Sequence, residues 1–402
     1  MARSEVRLFV DGNELQASEW SIESDLLQPA DAFEVTVPNP QGRLSYLADL
    51  MLPGCSVLVD DTVQMTGYVD SVTQDGQPGT GNVLRFSGRD AFGQLVDCAA
   101  APQSLANHDV LMMAIKLAGA FVPDWIVDNE ANRLKLQRAR RQYARIAKEV
   151  KDDALTFRAD NLSPSFAETA KSVSRLNQKR LAIAKANLAA IRATVFPRVK
   201  IEPGESIMDV LTKAAKKTGM LVWLAADGTG VIAKPHYDQA AQYEIHLHKP
   251  SSPLKDRNNV KGYSHTHTHN TRYQTWRQLG WSPNTKSTAG QGSRHAVTIT
   301  DSDITLPRLK IFPRSTQSRK HAKKTIRREY ERSLFDAVQL SYTVEGHTQN
   351  GLLWQIDTLC SVDDTVTGHQ DTYYVTRRRF SGSLSGSQVT EVSLRRKGLL
   401  LP

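Results

Sequence analysis

Both ends of this 402-residue chain are written in short runs of alternating apolar and polar residues, each cut off by a turn signal. Arg7-Leu8-Phe9-Val10 stops at Asp11-Gly12, and Phe33-Glu34-Val35-Thr36-Val37 stops at Pro38-Asn39-Pro40. Ser56-Val57-Leu58-Val59, the run Val63 to Val69, and Val83-Leu84-Arg85-Phe86 continue the pattern. A period of two sends every second side chain to one face, so these runs predict antiparallel strands. Asp-Gly between such runs is the chemistry of a two-residue hairpin. Residues 1–98 therefore read as a small barrel or sandwich. The tail returns to β in Tyr373-Tyr374-Val375 and in Val389 to Leu394.

The middle follows a different period. A short helix is expected near His108–Ala118, ended by Gly119. Leu136, Ala139, Tyr143, Ile146, Val150 and Phe157 then fall on one seam at 3.5-residue spacing. Leu181, Ala184, Leu188, Ile191 and Val195 form a second seam. Asn161-Leu162-Ser163-Pro164 separates them, and Ser165 with Glu168 is spaced as a capping box. Pro197 ends the second helix. At about 1.5 Å per residue each helix would be roughly 45 Å long, and an antiparallel hairpin is the simplest arrangement.

Pro203-Gly204-Glu205-Ser206 leads into a helix with Ile207, Val210, Leu211 and Ala214 on one face, stopped by Gly219. The stretch 258–295 is rich in Gly, Ser, Thr, Asn and His and is expected to be a long loop. A basic helix is expected near Thr316–Ala337.

These elements define an α+β, β-rich fold class: two similar small antiparallel β-barrel domains, a small α/β unit and a long helical hairpin. The expected domains are 1–98, an acidic first β-barrel domain; 99–198, the helical region; 199–245, the small α/β domain; and 246–402, a second β-barrel domain with an inserted basic helix. An internal echo supports the duplication. Val57, Asp60-Asp61-Thr62, Tyr68-Val69 and Phe86-Ser87-Gly88 are matched by Cys360, Asp363-Asp364-Thr365, Tyr374-Val375 and Phe380-Ser381-Gly382.

Charge divides the chain. Residues 1–98 hold 5 basic and 15 acidic side chains, a net of −10, so the remainder carries +19 to reach the whole-chain +9. A split of this size indicates surfaces meant for partners. Mean hydropathy of −0.41 describes a soluble chain. The polar start Met1-Ala2-Arg3-Ser4-Glu5 does not read as a signal peptide, and no apolar run reaches the ~20 residues of a membrane helix. Cys55, Cys98 and Cys360 are odd in number and widely spaced, which fits neither a disulfide framework nor a zinc site and points to a reducing cytosol.

Motifs with chemistry are few. His246 and His248 alternate, as do His265, His267 and His269, so each set would share one face of a strand. Imidazoles so placed can ligate a metal, yet no nearby Cys or carboxylate cluster joins them, and no metal residue is assigned. Lys and Arg crowd the stretches Arg133–Lys151, Lys171–Arg192 and Arg319–Arg328. Such faces would supply phosphate contacts but little base readout, and a solvated outer face or docking on a protein partner is preferred. Walker, G-x-G-x-x-G, H-E-x-x-H and G-x-S-x-G patterns are missing; Gly382-Ser383-Leu384-Ser385-Gly386 has Leu where a nucleophile belongs. Asp60-Asp61, Asp152-Asp153 and Asp363-Asp364 read as solvated turn carboxylates. No catalytic or cofactor-binding residue and no cofactor is expected, and the chain reads as no enzyme.

Several framework stretches resemble the baseplate hub protein of Mu-like contractile phage tails. They are Phe33-Glu34-Val35-Thr36-Val37-Pro38-Asn39-Pro40, Met65-Thr66-Gly67-Tyr68-Val69-Asp70, Gly88-Arg89-Asp90 with Leu95-Val96-Asp97, Glu202-Pro203-Gly204-Glu205-Ser206 and Leu394-Arg395-Arg396-Lys397-Gly398. The resemblance spans the chain apart from the helical hairpin. It implies a homotrimeric ring whose six β-barrels match the six-fold tail tube on one side and the three-fold spike on the other, around a channel for DNA. Implied partners are the tail tube or tube-end protein, the central spike protein, baseplate wedge proteins and the tape measure protein. DNA would be present only in transit, with no membrane insertion. The implied location is the virion tail baseplate, with assembly in the host cytoplasm. Related hubs serve contractile bacteriocins and type VI secretion spikes. The acidic first segment would repel DNA phosphates in the channel or dock on a basic face of the neighbouring chain. Competing classes are a nucleic-acid-binding protein using the basic helices and a tail-associated cell-wall hydrolase.

Overall fold

The computed structural model describes residues 3–77, 81–103, 105, 108–128, 130–156, 164–195, 197–282, 293–315 and 319–398. The chain forms two compact units. The first gathers Met1–Gly93, Leu224–Gly228 and Pro235–Pro402; the second gathers Gln94–Trp223 and Thr229–Lys234.

Thirteen strands of the first unit make one sheet. They are β1 (Val6–Val10), β2 (Asn13–Gln16), β3 (Glu19–Asp25), β4 (Ala32–Pro38), β5 (Gly54–Val59), β6 (Thr62–Gln77), β7 (Gly81–Asp90), β8 (Tyr243–Leu247), β9 (Val260–His267), β10 (Val338–Glu345), β11 (Thr358–Asp364), β12 (His369–Ser383) and β13 (Gln388–Arg396). The strand order is β9-β10-β13-β12-β3-β4-β7-β6-β5-β1-β2, and β11 pairs with both β12 and β8.

The β-rich α+β class stands, but the two closed barrels do not. β3 and β12 pair antiparallel from Asp25↔Arg377 to Glu19↔Ser383. Each half thus gives the other the edge it would need to close on itself, and the pairing removes two exposed edges. The apolar core is continuous across this junction: Trp20, Ile22 and Phe86 from the first half share one cluster with Tyr342, Phe380 and Val392 from the second.

Local chemistry explains the hairpins. Val6, Leu8 and Val10 of β1 are buried while Arg7 and Phe9 between them are partly exposed. Asp11 and Gly12 both take positive φ, 48° and 74°, as a primed hairpin turn requires, and Val10 pairs with Asn13. Asp60 and Asp61 repeat this between β5 and β6 at φ 48° and 64°. The Asp60 carboxylate is not merely solvated: it accepts bonds from Ser4 Oγ at 2.8 Å and Glu5 N at 2.9 Å, which holds the left-handed turn.

The echo covers two strands rather than three. β5–turn–β6 and β11–turn–β12 correspond, but Phe380-Ser381-Gly382 lies on β12 itself, whereas Phe86-Ser87-Gly88 lies on the third strand, β7. The expected loop 258–295 also contains strands: β9, and Thr275–Ser282, which pairs with Ser293–Thr300 and Leu309–Ser315. Residues 283–292 of that stretch lie outside the described residues. β9 carries no alternating apolar face, so backbone pairing with β10 orders it and the side-chain period does not announce it. The basic helix runs Arg319–Ala337, buries Ala322, Ile326 and Phe335, and carries the ion pairs Arg327–Glu331 at 2.7 Å and Arg332–Asp336 at 3.5 Å.

In the second unit the helices Glu130–Thr156 and Pro164–Val195 pack along each other. Leu136, Ala139, Ile146 and Val195 of the expected seams are buried. Phe157 and the Asn161-Leu162-Ser163 turn lie outside the described residues, as do the side chains of Ser165, Glu168 and Ile191. The helix Ile207–Thr218 starts at Ser206, whose hydroxyl accepts from Asp209 N, and ends at Gly219 in the left-handed region at φ 81°. Among the described residues, no helix is long and apolar enough to cross a membrane.

One close approach sets a limit on the sheet. A Cβ on Gly88 would lie 2.7 Å from the Phe33 ring and nearer still to the Tyr68 carbonyl of the adjoining strand. Gly88→Ala is expected to lower stability by roughly 2 kcal/mol or more, because overpacking against backbone has little room to relax. Urea denaturation of the purified protein checks it.

Candidate functional site

The alternation of strand side chains divides Arg377, Arg378 and Arg379 of β12 between two faces. On one face Arg377 grips Glu23 of β3 through two bonds, 2.6 and 2.9 Å, and reaches Glu391 of β13 at 3.1 Å. Its neighbour two residues on, Arg379, donates to Ser21 Oγ at 2.9 Å. The paired guanidinium holds the Glu23 carboxyl below the usual range. Arg378 points the other way and is 4% exposed. Its guanidinium lies over the Phe380 ring at 4.1 Å, and burial lowers its pKa to about 10. Asp90, at the end of β7, is also 4% exposed, and burial, reinforced by the Asp31 charge, pushes its carboxyl well above the ordinary range.

A second link across the junction is neutral. His347 is fully buried just beyond β10. Trp20 Nε1 of β3 donates to His347 Nε2 at 3.0 Å, which leaves the ring proton on Nδ1 to meet Thr390 Oγ1 of β13 at 3.2 Å. The Thr390 hydroxyl passes on to the Gly346 carbonyl at 2.6 Å. Every polar atom in this chain is satisfied only while the imidazole is neutral. Gln388 and Ser4 add reciprocal bonds, 2.8 and 2.9 Å, between the last strand and the segment before the first.

The histidines form two groups in the first unit. His246 and His248 share one face and meet Asp363 of β11; one ligand atom from each lies within 4.8 Å of the other two. His265 lies 3.6 Å from Asp364 and stands edge-on to Tyr342 and His369, while His267 stacks on His369 at 5.9 Å. His269 lies beyond the strand and exposed. Asp363 and Asp364 therefore end a strand rather than occupy a solvated turn, and Asp364 is fully buried. Sequence reasoning placed Asp363 in a solvated turn and passed over His369, His347, Trp20 and Arg378, because their partners lie more than a hundred residues away or across a strand register. Gly382–Gly386 is a hairpin turn between β12 and β13, tied by Gly386 N to Ser383 Oγ at 2.9 Å.

Three family models match segments of the chain. Residues 5–90 match the N-terminal domain of the Mu phage baseplate assembly protein GpP-like family, and residues 333–399 match a tail protein C-terminal domain. Residues 178–234 match the second domain of the gp44-like baseplate hub protein. All three models describe tail or baseplate domains, and each covers less than half of the chain. Among solved structures, the chain resembles the tail protein of Neisseria meningitidis MC58, at TM-score 0.68 and 22% identity over 99% of this chain and 98% of that one. It also resembles the 43 kDa tail protein of prophage MuSo2 from Shewanella oneidensis, at TM-score 0.66 and 20% identity over 99% and 100%. The Francisella PdpA–VgrG complex matches at TM-score 0.52 and 9% identity over 100% of this chain and 59% of that one. No curated protein sequence matches the chain.

Protonation of His347 tests the junction. The imidazole takes up a proton at 6.5 when unfolded and at about 4 when folded, because burial disfavours its charge. The unfolded state therefore holds more protons across that window, and stability falls as pH drops through it. Asp90 slopes the opposite way, since its folded carboxyl keeps its proton longer. The readout is thus the difference between wild type and His347→Gln. Melting curves from pH 7 to 4 are expected to show the wild type losing about 3 kcal/mol that the variant does not lose.

Proposed function

We propose that this chain is the baseplate hub, a trimeric ring that adapts the six-fold tail tube to the three-fold spike. The observation that carries the reading is the pair of strand–turn–strand halves, β5–β6 and β11–β12, set in one sheet and bound through β3 and β12. A chain with two similar β halves offers two similar faces, and three copies offer six. The role is geometric, with no catalysis, and its location is the virion baseplate after assembly in the host cytoplasm. Partners under this reading are the tube end, the spike, baseplate wedge proteins and the tape measure protein. DNA passes through the channel without lasting contact.

The charge split supports the same reading. Arg7 pairs with Glu14 and Asp61, Arg85 with Glu34 and Asp75, and Arg89 with Asp70, so most arginines of the first ninety-eight residues are neutralised locally. Glu5, Asp11 and Glu19 remain exposed. An acidic rim of this kind repels phosphates and keeps DNA from sticking.

Light scattering over a concentration series is the test. A trimer of the 44.7 kDa chain has a mass of about 134 kDa, three times the chain mass, and that value is expected. A monomer that stays monomeric when the tube-end and spike proteins are added would overturn the ring.

A further inference from the structure

The strands β8 and β11 run parallel, and their register sets His246 beside Asp363. His248 follows two residues on and so presents its ring to the same face. Its side chain is 1% exposed, and neither of its ring nitrogens has a hydrogen-bond partner. Leaving a buried imidazole unpartnered on both sides costs free energy that a protein interior seldom leaves uncompensated. The Nε2 atom lies 3.6 Å from Asp363 Oδ2. That separation is too long for a hydrogen bond. It suits two ligands of one metal ion, since bonds of about 2.0–2.1 Å in a tetrahedron put ligand atoms roughly 3.3 Å apart.

The surroundings hold each group in place. His246 Nε2 faces Glu244 Oε2 at 3.2 Å, and its Nδ1 is buried with no partner. A histidine that donates one ring N–H to a carboxylate and keeps the other nitrogen free has the tautomer of a metal ligand. Gln370 Nε2 donates to Asp363 Oδ1 at 2.7 Å, which turns Oδ2 toward His248. Asn258 and Asn259 lock the backbone beneath the two histidines: His248 N donates to Asn258 Oδ1 at 2.7 Å and His246 N to Asn259 Oδ1 at 2.9 Å. The adjacent carboxylate offers a contrast. Asp364 already accepts from Tyr342 Oη, Thr367 Oγ1, Val366 N and Thr367 N, so it anchors a turn and has little capacity left.

We propose that His246, His248 and Asp363 bind a first-row divalent metal ion, zinc by ligand type, with a water in the fourth position. Two imidazoles and one carboxylate form a borderline donor set that prefers such ions to calcium or magnesium. The ion draws the three ligand atoms together and clamps β8 to β11, a parallel pair that gains slightly less from its ladder than an antiparallel one.

The test uses the full chain, free of any polyhistidine tag, stripped with EDTA and dialysed against zinc sulfate. Elemental mass spectrometry is expected to find one zinc per chain, and cobalt loading is expected to give the visible absorption of a four-coordinate ion. In titration calorimetry His248→Ala and Asp363→Asn should each weaken zinc binding at least about tenfold, while His267→Ala leaves it unchanged. Asp363→Asn preserves size and shape, and His246→Gln is a further variant should His248→Ala fail to fold. Wild-type protein without stoichiometric zinc overturns the site, and so does unchanged affinity in folded Asp363→Asn and His246→Gln.

Discussion

The pairing of β3 with β12 is the interaction on which the rest of the first unit depends. It joins residues more than 350 positions apart, and every other strand of the sheet lies to one side of it or the other. The ladder alone would leave two half-sheets free to slide by register. Side chains prevent that on both faces. Outside, Arg377 fits between Glu23 and Glu391; inside, Trp20, His347 and Thr390 form a polar chain that closes at one alignment only. Partly exposed ion pairs contribute little to stability by themselves. Their value here is in specifying register, because a one-residue slip would turn Arg377 inward and Arg378 outward.

The buried charge at this junction carries a cost. Arg378 is removed from water, and its Nη1 atom finds no hydrogen-bond partner. Hydrophobic replacements of similar size often match or exceed the stability of such groups. A buried group of this kind fixes one packing of the two halves more than it adds stability. The ring of Phe380 serves both sides of this compromise, lying under the Arg378 guanidinium and 4.7 Å from the His347 ring.

Much of the fold was legible in the sequence, and the failures share a cause. Hairpins at Asp11-Gly12 and Asp60-Asp61, the helix from Ile207 and the two helical seams follow from short-range periods and turn chemistry. The sheet order does not, since strand pairing over hundreds of residues leaves no local mark. Two closed barrels were the natural reading of two similar β segments, and only the β3–β12 register shows why neither closes. Likewise Val260–His267 was hidden because an edge strand built from Lys, Gly, Ser, Thr and His has no apolar alternation. The histidine period itself was correct for His246 and His248. What completes their group is Asp363, more than a hundred residues away, brought in by a parallel pairing that composition cannot announce. Charge was the most informative bulk quantity: the excess of acid in the first ninety-eight residues meets, in part, the arginines of β12.

The distance in sequence between β3 and β12 has a consequence for synthesis. β3 is complete at Asp25, but its partner does not begin until His369. While the residues between them are made, β3 stands as an open edge beside a β4–β7–β6–β5–β1 array, ready to pair with any extended segment nearby. The Ser4–Gln388 bonds are later still. Closure of this pair is therefore a non-local event, and a chain cut just before β12 would keep a sticky face.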